Sequence, residues 1–218
     1  MNGSNHDSFG YDGDWDSSGG ELAWNEHDWN QYLKRIQREE ARFLRAYDGT
    51  ERSLEHLDEV ARSLGWDRED WSPAQGLEAA ETPGFETDDD ASVDADDLDP
   101  YTIHRHPVYV VTHSLFDRLQ RGWQDFVGQI GTSQALADPT LSRVPGSLRR
   151  AEVDALMALM SLDMGDFNLA VCHLKRAMSW LNESMGLLPD PVVSPLHAHF
   201  THEARNSLFD LREVWLRV

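Results

Sequence analysis

Apolar residues recur at helical spacing along most of this chain, and nowhere do they alternate with polar ones as a half-buried strand requires. Trp29, Leu33, Ile36, Glu40, Phe43 and Tyr47 follow a 4-3-4-3-4 spacing, an apolar stripe with one polar break. It predicts a first helix starting near Asn25 or Asp28, either of which can cap it. Lys34, Arg35, Arg38, Arg42 and Arg45 cover the other side. Asp48-Gly49-Thr50 predicts a tight stop, with Thr50 capping a second helix that carries Leu54, Leu57, Ala61 and Leu64 and ends at Gly65. The pair reads as an αα-hairpin.

A third helix is predicted from about residue 108 to 128 or 130, with Tyr109, Thr112, Phe116, Leu119, Trp123, Val127 and Ile130 on one face. Residues 131–146, with Pro139, Pro145 and Gly146, read as a loop. A fourth helix spans roughly 147–163 and carries Leu148, Val153, Leu156, Met157 and Met160; a fifth spans roughly 167–185. A sixth spans roughly 195–217, with Phe200, Ala204, Leu208, Leu211 and Trp215, and Pro189, Pro191 and Pro195 separate it from the fifth. The expected fold class is all-α, a hairpin and bundle body of about six helices.

Charge divides the chain further. Residues 1–28 hold seven acids and no Lys or Arg, and residues 67–100 hold thirteen acids and Arg68. Together they carry −19 of the formal −20, so the helical remainder is nearly neutral. Neither segment has the apolar content to offset its ordering entropy. The expected organisation is a disordered acidic tail (1–22), an N-terminal helical hairpin (23–66), an acidic linker (67–100) and a C-terminal helical unit (101–218). The hairpin's aromatic stripe cannot stay wet, so it is expected to pack on the C-terminal unit. The acidic balance argues against direct contact with nucleic acid, which needs a basic face, and against anionic membrane surfaces. There is no apolar leader at the N-terminus and no membrane-spanning run, so a soluble, cytoplasmic protein is expected. The one cysteine, Cys172, lies among apolar residues of the fifth helix and reads as a buried structural thiol.

One stretch carries a family likeness. Ala158, Gly165, Asp166, Phe167, Ala170, Leu174 and Ala177 stand where a tetratricopeptide hairpin has its small contact residues and its Gly-Asp-aromatic turn, and residues 151–184 resemble a single such unit. Ser161 stands where an aromatic is usual and Asn182 where a proline usually closes the unit. The resemblance implies close helix packing through the alanines and a protein-binding role. Gly165 is expected to take a left-handed turn. Met157, Met160, Met164, Met178 and Met185 cluster on the same hairpin, where core filling is the ordinary role and an adaptable binding surface the other.

No catalytic constellation stands out. There is no nucleophile elbow, no phosphate-cradling glycine loop, and Cys172 and His173 are adjacent helical positions that point about 100° apart. The histidines offer a weaker signal. His199 and Glu203 are i,i+4 neighbours and His199 and His202 are i,i+3, beside His197, so either pair could chelate a cation, with His113 or His173 completing the site across a bundle. The ordinary reading is solvated or capping histidine. His104-Arg105-His106 reads as the end of the linker. Asp12, Asp14 and Asp16, and Asp94, Asp96 and Asp97, begin like calcium loops but lack the closing residues. The sequence therefore favours a non-enzymatic protein-interaction module, an adaptor or assembly component, with no cofactor, a protein partner and self-association open. Two alternatives stand beside it: a metal-binding helical bundle or metal-dependent enzyme using His113, His199, His202 and Glu203, and an acidic nucleic-acid mimic or chaperone shielding a basic partner.

Overall fold

Seven α-helices and no strand make up the residues that the computed structural model describes, 25–66, 102–189 and 195–218. The acidic tail, the whole of the linker, both calcium-like acid runs and the side chain of His197 lie outside that description.

Helix α1 (Glu26–Gly49) starts at a capping box. The Asn25 side chain accepts from the backbone N–H of His27 and Asp28, and Asp28 accepts from the Asn25 N–H. Its buried line is Tyr32, Phe43 and Tyr47. Trp29 and Leu33 sit at the surface instead, the latter 53% exposed, because Tyr32 rather than its neighbours turns inward at the first turns. Thr50 closes α1 by donating from backbone and hydroxyl to Ala46 O, and does not cap the next helix. Helix α2 (His56–Leu64) therefore starts later than expected and leaves Leu54 in solvent. Gly65, at φ +77°, ends it as the spacing implied.

The chain re-enters through a 3₁₀ turn, Thr102–Arg105, and the Nδ1 of His106 caps α3 (Pro107–Ile130) by accepting from the Val108 N–H at 3.3 Å. His104 and His106 are thus built into the fold rather than ending a linker: His104 Nδ1 takes the Tyr32 hydroxyl and its ring stands edge-on to Tyr109. Helix α3 buries Val108, Val110, Val111, Leu115, Phe116, Leu119 and Phe126, more of its perimeter than one face, because it packs against α1, α5 and α7 at once. The expected loop after it contains a short helix α4 (Thr132–Ala137) and a 3₁₀ turn before α5 (Val144–Asp163). Helices α6 (Phe167–Leu187) and α7 (Pro195–Arg217) complete a ring in which α3 touches α5, α5 touches α6, α6 touches α7 and α7 touches α3.

The pairing of α3 with α7 is antiparallel. Trp215 Nε1 donates to Thr112 Oγ1 at 3.1 Å at one end, while Phe200 stacks on Phe126 at 4.9 Å at the other. Phe200, Ala204, Leu208, Leu211 and Trp215 are all buried, as their periodicity predicts. Each large apolar side chain of this kind contributes roughly 1.5–3 kcal/mol when removed from water. The hairpin α1–α2 joins the same hydrophobic cluster through Phe43, Tyr47, Leu57, Val60 and Leu64. A polar clasp fastens it. The Tyr47 hydroxyl donates to Asp210 at 2.5 Å, Arg52 donates to the same carboxylate at 2.7 Å, and the Arg52 guanidinium lies 4.3 Å from the Tyr47 ring centroid. Burial, then the charge of Asp210, raises the Tyr47 hydroxyl well above its ordinary pKa and keeps it a donor. Arg217 reaches Asp58 at 2.5 Å on the far side of α2. No helix among the described residues is long and apolar enough to cross a membrane.

Candidate functional site

Among the described residues the densest helix contact is the hairpin α5–α6, and its outer face is the candidate site. The turn ends α5 in a Schellman arrangement. Asp166 N–H donates to Ser161 O at 2.8 Å, Gly165 N–H donates to Leu162 O at 2.9 Å, and Gly165 sits at φ +76°. The Asp166 side chain then opens α6 by accepting from Leu169 N–H at 3.0 Å. Small residues fill the seam: Ala158, Ala170 and Ala177 are fully buried, and Ser184 Oγ donates to Ser147 Oγ at 2.9 Å. Small side chains let two helix axes approach closely, so the seam has no room for larger ones. Asp154, buried in it, is held by His173 at 3.0 Å and Arg176 at 3.2 Å.

That economy leaves large apolar residues on the outside. Helix α5 turns Leu148, Ala155, Leu159 and Leu162 to the core, so Val153, Met157, Met160 and Met164 form a second line at 4-3-4 spacing on the opposite side, all exposed. The sequence reading assigned Leu148, Val153, Leu156, Met157 and Met160 to this helix without separating its faces, and gave core filling as the ordinary role of the methionines with an adaptable surface as the other. The alanine-lined seam and the core face together displace them. Around the turn, Phe167 and Val171 share an exposed side of α6, and Leu169 is exposed on its other side, with Met164 at 72% and Phe167 at 56% exposure. Met178 and Met185 do pack against the core. Cys172 is exposed, not buried, because it lies on the α6 side facing away from both α5 and the core.

The histidine set does not assemble. His113, on α3, lies 2.8 Å from Glu40 of α1 and stacks flat against Tyr109. The contact with Glu40 raises the His113 pKa above its ordinary value against the opposing effect of burial, with Glu152 and Asp117 adding to it. Glu203 is taken by Arg118 at 2.9 Å, which also holds Asp48. Burial raises the Glu203 carboxyl, but the bond and the attraction of Arg118 outweigh it and leave its pKa below the usual range. His202 bonds Asn206 at 3.2 Å and its Nδ1 lies 3.7 Å from Glu203, so those two of the set do meet, while His199 is exposed. Among the described residues, no three His, Cys, Asp or Glu side chains converge as a metal site requires. The Tyr47–Asp210–Arg52 clasp and the Tyr32–His104 contact were missed in the sequence, and no local spacing could have revealed them, since their partners lie 163 and 72 residues apart.

Compared with protein-family models, curated proteins and solved structures, the chain matches none.

Proposed function

We propose that the protein is a non-enzymatic helical interaction module, an adaptor or assembly component, which holds a protein partner on the outer face of a tetratricopeptide-like hairpin, α5–α6. The observation that carries this reading is the run of exposed apolar residues on that face: Val153, Met157, Met160, Met164, Phe167 and Val171. Contiguous exposed apolar surface of this kind marks interaction sites, and methionine adapts to varied partner shapes. The seam beneath is closely packed through Ala158, Ala170 and Ala177, which favours a hairpin already formed before it binds. The test is affinity capture from native lysate with the full chain, set against Met160→Glu with Met164→Glu. The expected result is a partner that survives raising salt to about 0.5 M, where the Debye length falls to roughly 4 Å, and that is lost with the two glutamates. Capture unchanged by the substitutions, or abolished by salt alone, would defeat the proposal and turn attention to the acidic segments.

A further inference from the structure

Helix α5 sorts its apolar side chains by chemistry as well as by face. Leu148, Leu159 and Leu162 are buried on the core side, whereas Met157, Met160 and Met164 stand on the outer side at 42%, 42% and 72% exposure. At about 100° per residue these three methionines and Val153 fall within roughly 60° of the helix perimeter, so the thioethers make one line. Met178 and Met185, on α6, pack against the core instead. Leucine and methionine are close in volume and exchange at little cost, so apolarity alone does not call for three thioethers in the exposed line. What methionine has and leucine lacks is a sulfur that takes up oxygen reversibly.

We infer that Met157, Met160 and Met164 form a modification site, at which hydrogen peroxide converts the thioethers to sulfoxides and switches the outer face of α5 from apolar to polar. The inference rests on the reading of that face as the docking surface. In the step, a sulfur lone pair attacks one peroxide oxygen. The S–O bond forms as the O–O bond breaks, the second oxygen takes up the proton left on the first, and it departs as water. Sulfur loses two electrons and the peroxide gains them. A thiol-dependent sulfoxide reductase reverses the change, the oxygen leaving as water while two thiols become a disulfide. Each sulfoxide sets a strong acceptor where docking would exclude water, and an acceptor buried without a donor lowers affinity by roughly tenfold. The seam beneath is lined by Ala158, Ala170 and Ala177, which hold nothing to oxidise, so the face changes while the hairpin stands. The exposed thiol of Cys172 lies on the side of α6 away from α5 and takes no part.

The experiment treats the full chain, with Cys172→Ser, with hydrogen peroxide and follows each methionine by peptide mass spectrometry. Met157, Met160 and Met164 should be oxidised several-fold faster than Met178 and Met185, with the helical circular dichroism unchanged. The apolar dye anilinonaphthalene sulfonate serves as the probe of the face. Its fluorescence should fall on oxidation and recover with methionine sulfoxide reductase and a thiol reductant. Met157→Leu with Met160→Leu and Met164→Leu, which keeps Met1, Met178 and Met185, should bind the dye and ignore peroxide. Equal oxidation of all five helical methionines, loss of the helical signal, dye binding unmoved by the three sulfoxides, or an equal loss in the leucine variant would each overturn the inference. Capture from lysate separates it from the reading beneath it. Capture lost with Met160→Glu and Met164→Glu but kept after all three methionines are oxidised would leave the docking face standing and sink the switch. Capture unmoved by the glutamates would defeat the docking face, while the dye and the mass spectra still judge the modification site.

Discussion

The turn between α5 and α6 supplies a test in which one chemical change has opposite signs at two places. Gly165 has φ +76°, and a Cβ built there meets nothing within 4 Å. Any penalty for Gly165→Ala is therefore backbone strain alone, about 1–2 kcal/mol for a left-handed L-residue. Gly128 lies inside α3 without a positive φ, and a Cβ there also meets nothing within 4 Å. Gly128→Ala should then stabilise by about 0.5–1 kcal/mol, since alanine loses less backbone entropy in a helix. For a chain of this size each kcal/mol moves Tm by about 2–4 °C. Gly165→Ala should lower Tm by about 2–8 °C and Gly128→Ala raise it by about 1–4 °C. Gly165→Val should fall further than Gly165→Ala, because a β-branched side chain fits the left-handed region worst. Urea titrations of the three variants with unchanged m-values would give the free energies directly. A Gly165→Ala protein as stable as wild type, or shifts of one sign at both glycines, would refute the assignment of a strained turn with open space around it.

Two further outcomes follow from the side chains around α3 and α7. His113 carries a raised pKa in the fold, faced by Glu40, Glu152 and Asp117, so its contribution is fully present below its ordinary value of about 6.5 and is lost as pH rises through the higher folded value. The stability gap between wild type and His113→Gln should accordingly be larger near pH 5.5 than near pH 8.5 in urea melts, and a gap that grows with pH would contradict the Glu40 contact. His199→Ala with His202→Ala removes two exposed side chains and should leave both Tm and the zinc and iron content of the purified protein unchanged. Stoichiometric metal in the wild type that disappears in this variant would revive the metal-binding reading.

Helix positions were legible because periodicity and caps are local. Asn25, Gly65, Gly165 and Asp166 perform the roles their residue types imply, and the α7 line from Phe200 to Trp215 is buried throughout. Facing was less legible. In α5 the apolar residues occupy two sides, and the sequence could not say which would meet the core until the alanine seam with α6 was in place. The same limit misplaced Cys172: an apolar neighbourhood in sequence is not a buried one when the helix lies at the rim of the ring. In α1, Tyr32 supplanted Trp29 and Leu33 because its hydroxyl finds His104, a partner that only the fold brings near. The apolar outer face of the hairpin was thus visible as a list of methionines but not as a surface.

The clasp at Tyr47 also bears on the order in which the molecule is made. Tyr47 and Asp210 are 163 residues apart, and Arg217 and Asp58 are 159 apart. At roughly 5–20 residues per second, a ribosome delivers α1 and α2 on the order of 10–30 s before the side chains that fasten them. Through that interval Phe43, Tyr47 and Leu57 have no mature core to enter, whereas α5 and α6, divided by one short turn, can pair soon after they emerge. The earliest helices are the last to be locked, and the nascent chain spends that time with its aromatic stripe open to whatever holds newborn polypeptides.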